Sequence, residues 1–250
     1  MTTTPIVLLH AFPLDHRMWD DVAADLGRTH RVLAPDLPVP VGEPLPDPSL
    51  EDAADHVAAV IRGAGDGPAV VAGLSMGGYV ALALLERHPE LVAGLALVDT
   101  KSTADTPEAA ARRRSVADEV QAAGTVDPVR GMPDVLLGET TRSARPEVVE
   151  RVTAWIGEQD PARVAWAQRA MAARPDRTDV LADFRGPVVV VVGDEDEVTG
   201  ADSAEHMAAA VDQALLVVVP RVGHLSAVED PAAVRTALAE LLQRVHEPRG

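Results

Sequence analysis

The sequence predicts an α/β fold, in which a mainly parallel sheet of about six strands is covered by helices on both faces. Six short apolar runs carry this prediction. They occupy residues 5–10, 30–36, 68–75, 91–99, 187–196 and 214–220. Each run is apolar throughout rather than alternating, which is typical of strands that are buried on both faces. Helical patterns separate most of the runs, and this alternation favours parallel strands joined by crossover helices.

Two helix starts are marked by capping residues. Ser49 precedes an apolar periodic segment with an acidic first turn, and Asp230 precedes another segment that has Pro231 in its first turn. Both residue types accept hydrogen bonds from the free N–H groups of a first helical turn. The sequence therefore predicts helices that begin at these two positions.

One long segment interrupts the alternation of strands and helices. Residues 101–185 contain helical patterns but no strand-like run. We expect a helical insertion that lies over one edge of the sheet, while residues 1–100 and 186–250 form the core. No repeat or flexible linker separates the insertion as an independent domain.

Composition and charge exclude several classes of function. The chain has 250 residues, of which 47% are hydrophobic and 2% aromatic, and its 22 basic and 39 acidic residues give a net charge of −17. This charge argues against nucleic acid or an anionic membrane as a partner. Cysteine is absent, which excludes disulfides, thiolate metal sites and a cysteine nucleophile. The N-terminus lacks the basic segment of a secretory signal, so we expect a cytoplasmic protein.

A serine lies between glycines at the point where a buried strand turns into a helix. The segment reads GLSMG from Gly73 to Gly77, with Ser75 at its centre. A serine at so sharp a turn adopts a strained backbone conformation that only small neighbours tolerate. The following helix directs the partial positive charge of its first N–H groups to the same place. The pattern predicts that Ser75 is a nucleophile whose reaction passes through an oxyanion.

A serine nucleophile needs a base, and the base needs an acid that orients it. His224 is the candidate base, because it follows the last predicted strand and is preceded by Gly223. Four acidic residues, 194–197, end the preceding strand at the same edge of the sheet. Asp99 ends the strand before that one, where it is a rival acid or a cap for the insertion. The order serine, acid, histidine is typical of one α/β architecture.

These motifs resemble those of the α/β-hydrolase family, and the resemblance covers nearly the whole chain. It is carried by the segments LLHAFPLDHRMW, APDLP, GLSMGGYVAL, GDEDEVT and GHLSAVEDP. The most similar branch contains 3-oxoadipate enol-lactonases, cofactor-independent haloperoxidase-type esterases and related small carboxylesterases. The resemblance implies a triad of Ser75, His224 and Asp196, the last lying three residues beyond Gly193. It also implies that the insertion is a helical cap and that no metal or organic cofactor is needed.

The resemblance further implies that the backbone N–H groups of Phe12 and Met76 form the oxyanion hole. Ala11 departs from the family, which usually has glycine there, and a positive φ at this position would cost alanine about 1 kcal/mol. We expect His10 to form structural hydrogen bonds within its loop. The family's usual N-terminal hairpin is missing, so the sheet should be wholly parallel. The proline-rich loop at 36–50 borders the entrance to the active site and lacks a glycine that is usual in the family. We therefore expect its conformation to be particular to this protein.

The few large side chains of the chain are the candidates for lining a substrate cavity. These residues are Trp19, Trp155, Trp166 and Met171. The alternative is that the tryptophans anchor helices to the sheet. So few large side chains would leave a pocket for a small or aliphatic acyl group.

The expected reaction is hydrolysis of a small carboxylic ester or lactone through an acyl-enzyme. The expected partner is therefore a small molecule, with neither nucleic acid nor membrane involved. Other chemistry on the same triad remains an alternative, namely perhydrolase, C–C hydrolase, lyase or cyclase activity. A non-catalytic ligand-binding homologue is a further alternative. The sequence does not specify an oligomeric state.

Overall fold

A single parallel sheet forms the centre of the molecule. The computed structural model describes residues 4–38, 44–65 and 67–247. Its strands are β1 (Ile6–Leu9), β2 (Val32–Leu33), β3 (Ala69–Leu74), β4 (Val92–Val98), β5 (Val188–Gly193) and β6 (Leu215–Val219). The strand order is β2-β1-β3-β4-β5-β6, and each neighbouring pair is parallel. The predicted fold class, with about six strands and a wholly parallel sheet, is confirmed.

The strands are buried according to their place in the sheet. Every residue of β1, β3 and β5 is buried, because helices cover both faces of the central sheet. The edge strands β2 and β6 are largely half-buried, and Val218 of β6 is exposed. This gradient explains why the central strands read as continuous apolar runs in the sequence.

Twelve α-helices occur in the described parts of the chain. Those of the core are α1 (Asp20–Leu26), α2 (Leu50–Ala64), α3 (Met76–Arg87), α10 (Gly200–Ala209), α11 (Ser226–Glu229) and α12 (Pro231–His246). Those between β4 and β5 are α4 (Pro107–Ala123), α5 (Pro133–Leu136), α6 (Glu139–Ala144), α7 (Pro146–Gly157), α8 (Pro161–Ala173) and α9 (Thr178–Asp183). No helix in the described residues is both long and apolar enough to cross a membrane.

The order of the strands decides which face each core helix covers. The chain moves in one direction from β1 to β2 and in the opposite direction from β3 to β6. Right-handed crossovers therefore place α1 on one face and α2, α3 and α10 on the other. Consistent with this, α1 packs against α12, and α2 packs against α3. The carboxyl ends of β1 and β3 meet where the strand order reverses, which is the usual location of a site in such sheets.

The two predicted helix caps are present in the structure. The Ser49 side chain accepts a hydrogen bond from the Asp52 N–H at 3.2 Å, and Asp230 accepts one from the Ala233 N–H at 3.0 Å. Each bond satisfies a free N–H group in the first turn of its helix, α2 and α12 respectively.

The segment between β4 and β5 consists of helices and irregular backbone, and no strand lies in this fully described part of the chain. Its longest helix, α4, packs along α8. The segment is anchored to α3 through Arg174, whose guanidinium lies 4.0 Å from the centre of the Tyr79 ring. The same guanidinium donates to Asp105 at 2.7 Å. We refer to residues 101–185 as the helical insertion; its status as a separate cap stays a prediction.

Candidate active site

Ser75 lies at a strained turn between β3 and α3. Its backbone has φ 53° and ψ −111°, a left-handed conformation that non-glycine residues rarely adopt. The Ser75 N–H donates to the Val98 carbonyl at 3.0 Å, and the Thr100 hydroxyl donates to the Ser75 carbonyl at 2.8 Å. These bonds from the end of β4 hold the turn in its unfavourable conformation.

The glycines around Ser75 are required by close backbone contacts. A Cβ atom at Gly77 would lie 2.1 Å from the Leu9 carbonyl oxygen of β1. A Cβ atom at Gly73 would lie 2.2 Å from the Gly77 carbonyl oxygen. Both distances are far below van der Waals contact, so only glycine lets α3 start this close to the sheet.

Three predicted residues form one chain of hydrogen bonds at the carboxyl ends of the strands. The Nε2 atom of His224 lies 2.8 Å from the Ser75 hydroxyl oxygen. The Nδ1 atom of His224 lies 3.0 Å from each carboxylate oxygen of Asp196. A carboxylate can only accept, so Nδ1 carries the proton and Nε2 is free to accept from the Ser75 hydroxyl. This tautomer is the one required of a general base.

Asp196 is held in its ionised form by its neighbours. Its burial raises the pKa, but hydrogen bonds from His224 and Thr199 and from the Val198 N–H outweigh this effect. The pKa of Asp196 therefore lies well below its usual range. The Thr199 hydroxyl donates to one carboxylate oxygen at 2.6 Å, and the Val198 N–H donates to the other at 2.8 Å. An ionised Asp196 suits the stabilisation of an imidazolium at His224.

The other acidic candidates have different partners. Asp194 accepts from the backbone N–H of Arg221 at 2.5 Å, and Glu195 accepts from the N–H and hydroxyl of Thr140 in the helical insertion. In the described part of the chain, Asp196 is the acid hydrogen-bonded to His224.

Asp99 is fully buried and holds two neighbouring loops. It accepts from the Gly193 N–H at 3.0 Å and from the Ser226 N–H at 3.0 Å. Burial, together with the nearby charge of Asp196, raises the pKa of Asp99 to about 7. Asp99 therefore connects the segment before Asp196 with the segment after His224.

The residues predicted for the oxyanion hole border the same site. Met76 is the first residue of α3, where a backbone N–H has no partner within the helix. Phe12 and Met76 both line one cavity, and Met76 directly follows Ser75 in the chain. Ala11 does not belong to the described non-glycine residues with positive φ, so alanine in place of glycine causes no left-handed strain. Its N–H lies 3.1 Å from the Met18 sulfur.

His10 forms structural hydrogen bonds in the same loop. Its Nδ1 atom lies 3.0 Å from the Ala11 carbonyl oxygen, and its Nε2 atom accepts from the Leu37 N–H at 2.9 Å. Burial lowers the pKa of His10, which favours the neutral ring that these two bonds require. The ring thus ties the loop after β1 to the loop after β2.

The cavity has a volume of about 240 Å³. Apolar side chains form much of its wall, and they belong to Phe12, Leu14, Leu37, Met76, Val164 and Ala167. Charged and polar side chains also border it, and they include Asp15, Arg17, Glu158, Gln159 and Arg163. Part of the proline-rich loop predicted to border the mouth, 39–43, lies outside the described residues.

None of the four predicted lining residues borders this cavity, and their role toward a substrate stays a prediction. Trp19 is fully buried in the core, and Trp166 donates its indole N–H to the Pro46 carbonyl at 2.9 Å. Trp155 packs against the guanidinium of Arg151, and Met171 is buried where the helical insertion packs on itself. The contacts of the tryptophans are therefore with helices and with the proline-rich loop.

The sequence reasoning missed two contributors around His224. The carbonyl of Leu136 accepts from the His224 N–H at 2.9 Å, and Glu229 accepts from the N–H groups on both sides of the histidine. Glu229 lies in the segment GHLSAVEDP, where an acid within a short apolar stretch was a usable signal. Leu136 carried no signal, since its backbone carbonyl makes the contact.

In the described parts of the chain, no three histidine or acidic side chains are grouped so that they could hold a metal ion. The absence of a cofactor stays a prediction.

A family model described as "alpha/beta hydrolase fold" matches residues 4–231. The chain belongs to this family. A pimeloyl-(acyl-carrier protein) methyl ester esterase from Aromatoleum aromaticum is 31% identical to this α/β-hydrolase, over 92% of this chain and 95% of that protein. A protein of the same name from Neisseria meningitidis serogroup A is 28% identical, over 98% of this chain and 79% of that protein.

Solved structures extend the comparison. A malate-bound thermophilic esterase from Thermogutta terrifontis has a TM-score of 0.93 and 38% identity, covering 98% of this chain and 92% of that one. The enol-lactonase from Burkholderia xenovorans has a TM-score of 0.83 and 22% identity, covering 96% and 92% of the two chains, and it shows the fold alone. The family and its esterase members identify this α/β-hydrolase as an enzyme.

Proposed function

We propose that this α/β-hydrolase cleaves a small carboxylic ester through an acyl-enzyme formed on Ser75. The observation that carries the proposal is the hydrogen-bonded chain from the Ser75 hydroxyl through His224 to Asp196, together with a cavity lined by Phe12 and by Met76, the residue after Ser75. Relatives that are named as esterases support ester hydrolysis over the other reactions that this fold hosts.

The proposed mechanism follows from the tautomer of His224. Nε2 takes the hydroxyl proton as the Ser75 oxygen attacks the ester carbonyl, and Asp196 stabilises the imidazolium that forms. The N–H groups of Met76 and Phe12 bind the oxyanion, a contribution of ~3–4 kcal/mol for each donor where one has been removed. The imidazolium then protonates the leaving alkoxide, the alcohol departs, and water repeats the sequence on the acyl-enzyme to release the acid.

The cavity supports a small substrate. Its volume of about 240 Å³ lies just below the range of about 300–1,000 Å³ that is usual for ligand pockets. Its apolar wall fits a short aliphatic acyl chain, while its charged border fits a polar group at the far end of that chain. The helical insertion supplies Val164 and Ala167 to the wall, so we propose that it acts as the cap that selects the acyl group.

The decisive experiment is covalent labelling of the wild-type protein by a small fluorophosphonate, read as intact mass. We expect one label per chain, and none in Ser75→Ala or His224→Ala. Hydrolysis of p-nitrophenyl esters should then fall as the acyl chain is lengthened. A folded wild-type protein that takes no label and cleaves no ester or lactone would exclude the proposed function.

A further inference from the structure

The loop that carries His224 is held by every backbone N–H group from Gly223 to Ser226. The N–H of Gly223 donates to a carboxylate oxygen of Glu229 at 3.0 Å, and the N–H of Leu225 donates to the same oxygen at 3.2 Å. Between them, His224 donates to Leu136, and Ser226 donates to Asp99. Four consecutive donors are thus satisfied by acceptors that lie outside this loop segment.

Glu229 also reaches the helical insertion. Its second carboxylate oxygen accepts from the Gly138 N–H at 2.9 Å. The residue is only 4% exposed, and its carboxylate accepts from three backbone N–H groups. Hydrogen bonds to a buried carboxylate are stronger than those between neutral groups, so the three donors are held in one arrangement.

The backbone of the insertion touches the histidine loop at this point. A Cβ atom at Gly223 would lie 2.2 Å from the Gly138 nitrogen, and one at Gly138 would lie 2.8 Å from the Gly223 nitrogen. The Glu229 carboxylate binds both nitrogens. A shift of the insertion at Gly138 is therefore transmitted to the backbone that carries His224.

We propose that Glu229 is a positioning residue, whose carboxylate aims the His224 ring at Ser75 by tying the histidine loop to Gly138 of the helical insertion. This proposal rests on the proposed ester hydrolysis. The Nε2 atom lies 2.8 Å from the Ser75 oxygen, and proton transfer requires that this hydrogen bond be kept. A displacement of about 1 Å at a catalytic group can cost ~100-fold in rate.

Glu195 supplies a matched control. Its carboxylate also binds the insertion, through the N–H of Thr140 at 2.8 Å and the Thr140 hydroxyl at 2.5 Å. Glu195 also lies beside Gly138, since a Cβ atom there would be 2.5 Å from its Oε2 atom. Glu195→Gln therefore weakens a contact with the same part of the insertion, while the bonds of Glu229 to Gly138, Gly223 and Leu225 are unchanged.

The test compares full-length wild type with Glu229→Ala, Glu229→Gln and Glu195→Gln. Two rates are measured between pH 5 and 9: fluorophosphonate labelling of Ser75, and turnover of p-nitrophenyl butyrate. We expect kcat and the labelling rate to fall ~100-fold in Glu229→Ala and ~10-fold in Glu229→Gln, with KM within threefold of wild type. Glu229→Gln loses less because its amide keeps one acceptor oxygen. Glu195→Gln should stay within twofold of wild type in every parameter.

The split between kcat and KM separates positioning from a purely structural role. A misaligned His224 should lower kcat and the labelling rate together at every pH in this range, while substrate binding and KM change little. Unchanged kcat in folded Glu229→Gln would overturn the proposal, and so would an equal loss in Glu195→Gln. If Glu229→Ala does not fold, Glu229→Gln decides the question. A wild type that takes no label refutes ester hydrolysis itself, whereas a labelled wild type with equal rates in the variants refutes positioning alone.

Discussion

Different interactions hold the loop that carries His224 and the short 3-10 helix His16–Trp19, which places Arg17 at the cavity. Around His224 the acceptors are the buried carboxylates of Asp99 and Glu229, and the donors are backbone N–H groups. Around Arg17 the contacts join charged side chains: the guanidinium donates to the two carboxylate oxygens of Asp15 at 2.7 and 2.8 Å and pairs with Glu158 at 2.5 Å. The Arg17 and Glu158 side chains are 32% and 59% exposed.

This difference predicts which part of the site tolerates substitution. Buried bonds to backbone donors are costly to break, because each donor left without an acceptor loses its hydration as well. Exposed ion pairs contribute about 0–1 kcal/mol and are screened by salt. We therefore expect the histidine side to be fixed and the cavity mouth to tolerate change.

The largest effect should come from Asp196→Asn. The amide can present its NH₂ group to Nδ1 of His224 and stabilise the wrong tautomer, so kcat should fall by ~10³–10⁴. Asp194→Asn is the control, because Asp194 binds the backbone N–H of Arg221 rather than the histidine. Both are measured as kcat on an ester substrate. An active Asp196→Asn beside an inactive Asp99→Asn would assign the acid role to Asp99 instead.

Two glycine-to-alanine substitutions test how much the close approach of α3 to β1 matters for stability. Gly77→Ala should lower the free energy of unfolding by about 3 kcal/mol or more, because its methyl group would overlap the Leu9 carbonyl. Gly63→Ala should raise it by about 0.5–1 kcal/mol, since the site is in helix α2 with no atom within 4 Å of the new Cβ. Urea unfolding measures both. Equal changes in the two variants would mean that close approach of α3 to β1 is unimportant for stability.

Asp99 should make stability depend on pH. Its pKa is raised to about 7, so between about pH 4 and 7 the folded state keeps a proton that the unfolded state has lost. Stability therefore falls as pH rises through this window, by up to ~1.4 kcal/mol for each pH unit. Asp99→Asn removes this term, so urea unfolding from pH 4.5 to 7.5 should show a more negative slope for wild type. Parallel curves would contradict the raised pKa.

The smallest effect should come from Arg17→Gln at the cavity mouth. We expect kcat within twofold and KM within about threefold of wild type, because the lost contacts are partly exposed. Arg28→Gln, at an exposed pair with Asp25, is the matched control for general charge effects. Steady-state kinetics at low and high salt give the comparison. A loss of kcat as large as that of Glu229→Ala would show that the mouth is as rigid as the histidine loop.

Much of the fold could be predicted from the sequence, because buried strands and helix caps have local signatures. The continuous apolar runs around Ile6 and Val190 and the caps at Ser49 and Asp230 are confirmed. The wall of the cavity consists of residues other than the four large ones named from the sequence. Residue size suggested Trp19, but whether a large side chain faces a cavity or the core depends on tertiary packing, which no local pattern encodes.

The candidate site could likewise be predicted only in part. Ser75, Asp196 and His224 follow strands whose carboxyl ends must meet at one edge, so parallel topology is enough to predict that they converge. The contacts of Glu229 with Gly138 and of His224 with Leu136 could not be predicted this way. They join segments about 90 residues apart through backbone atoms, which all residue types share.

The contact at Gly138 also limits how the protein could be recombined with its relatives. Residues 101–185 join two adjacent parallel strands, and the sheet places little demand on the length of such a connection. A transplanted segment would nevertheless have to present one backbone N–H to Glu229 and one carbonyl to His224. Chimaeras that keep the backbone of 136–138 in this position should therefore exchange substrate preference and keep turnover, whereas those that displace it should fold and react slowly.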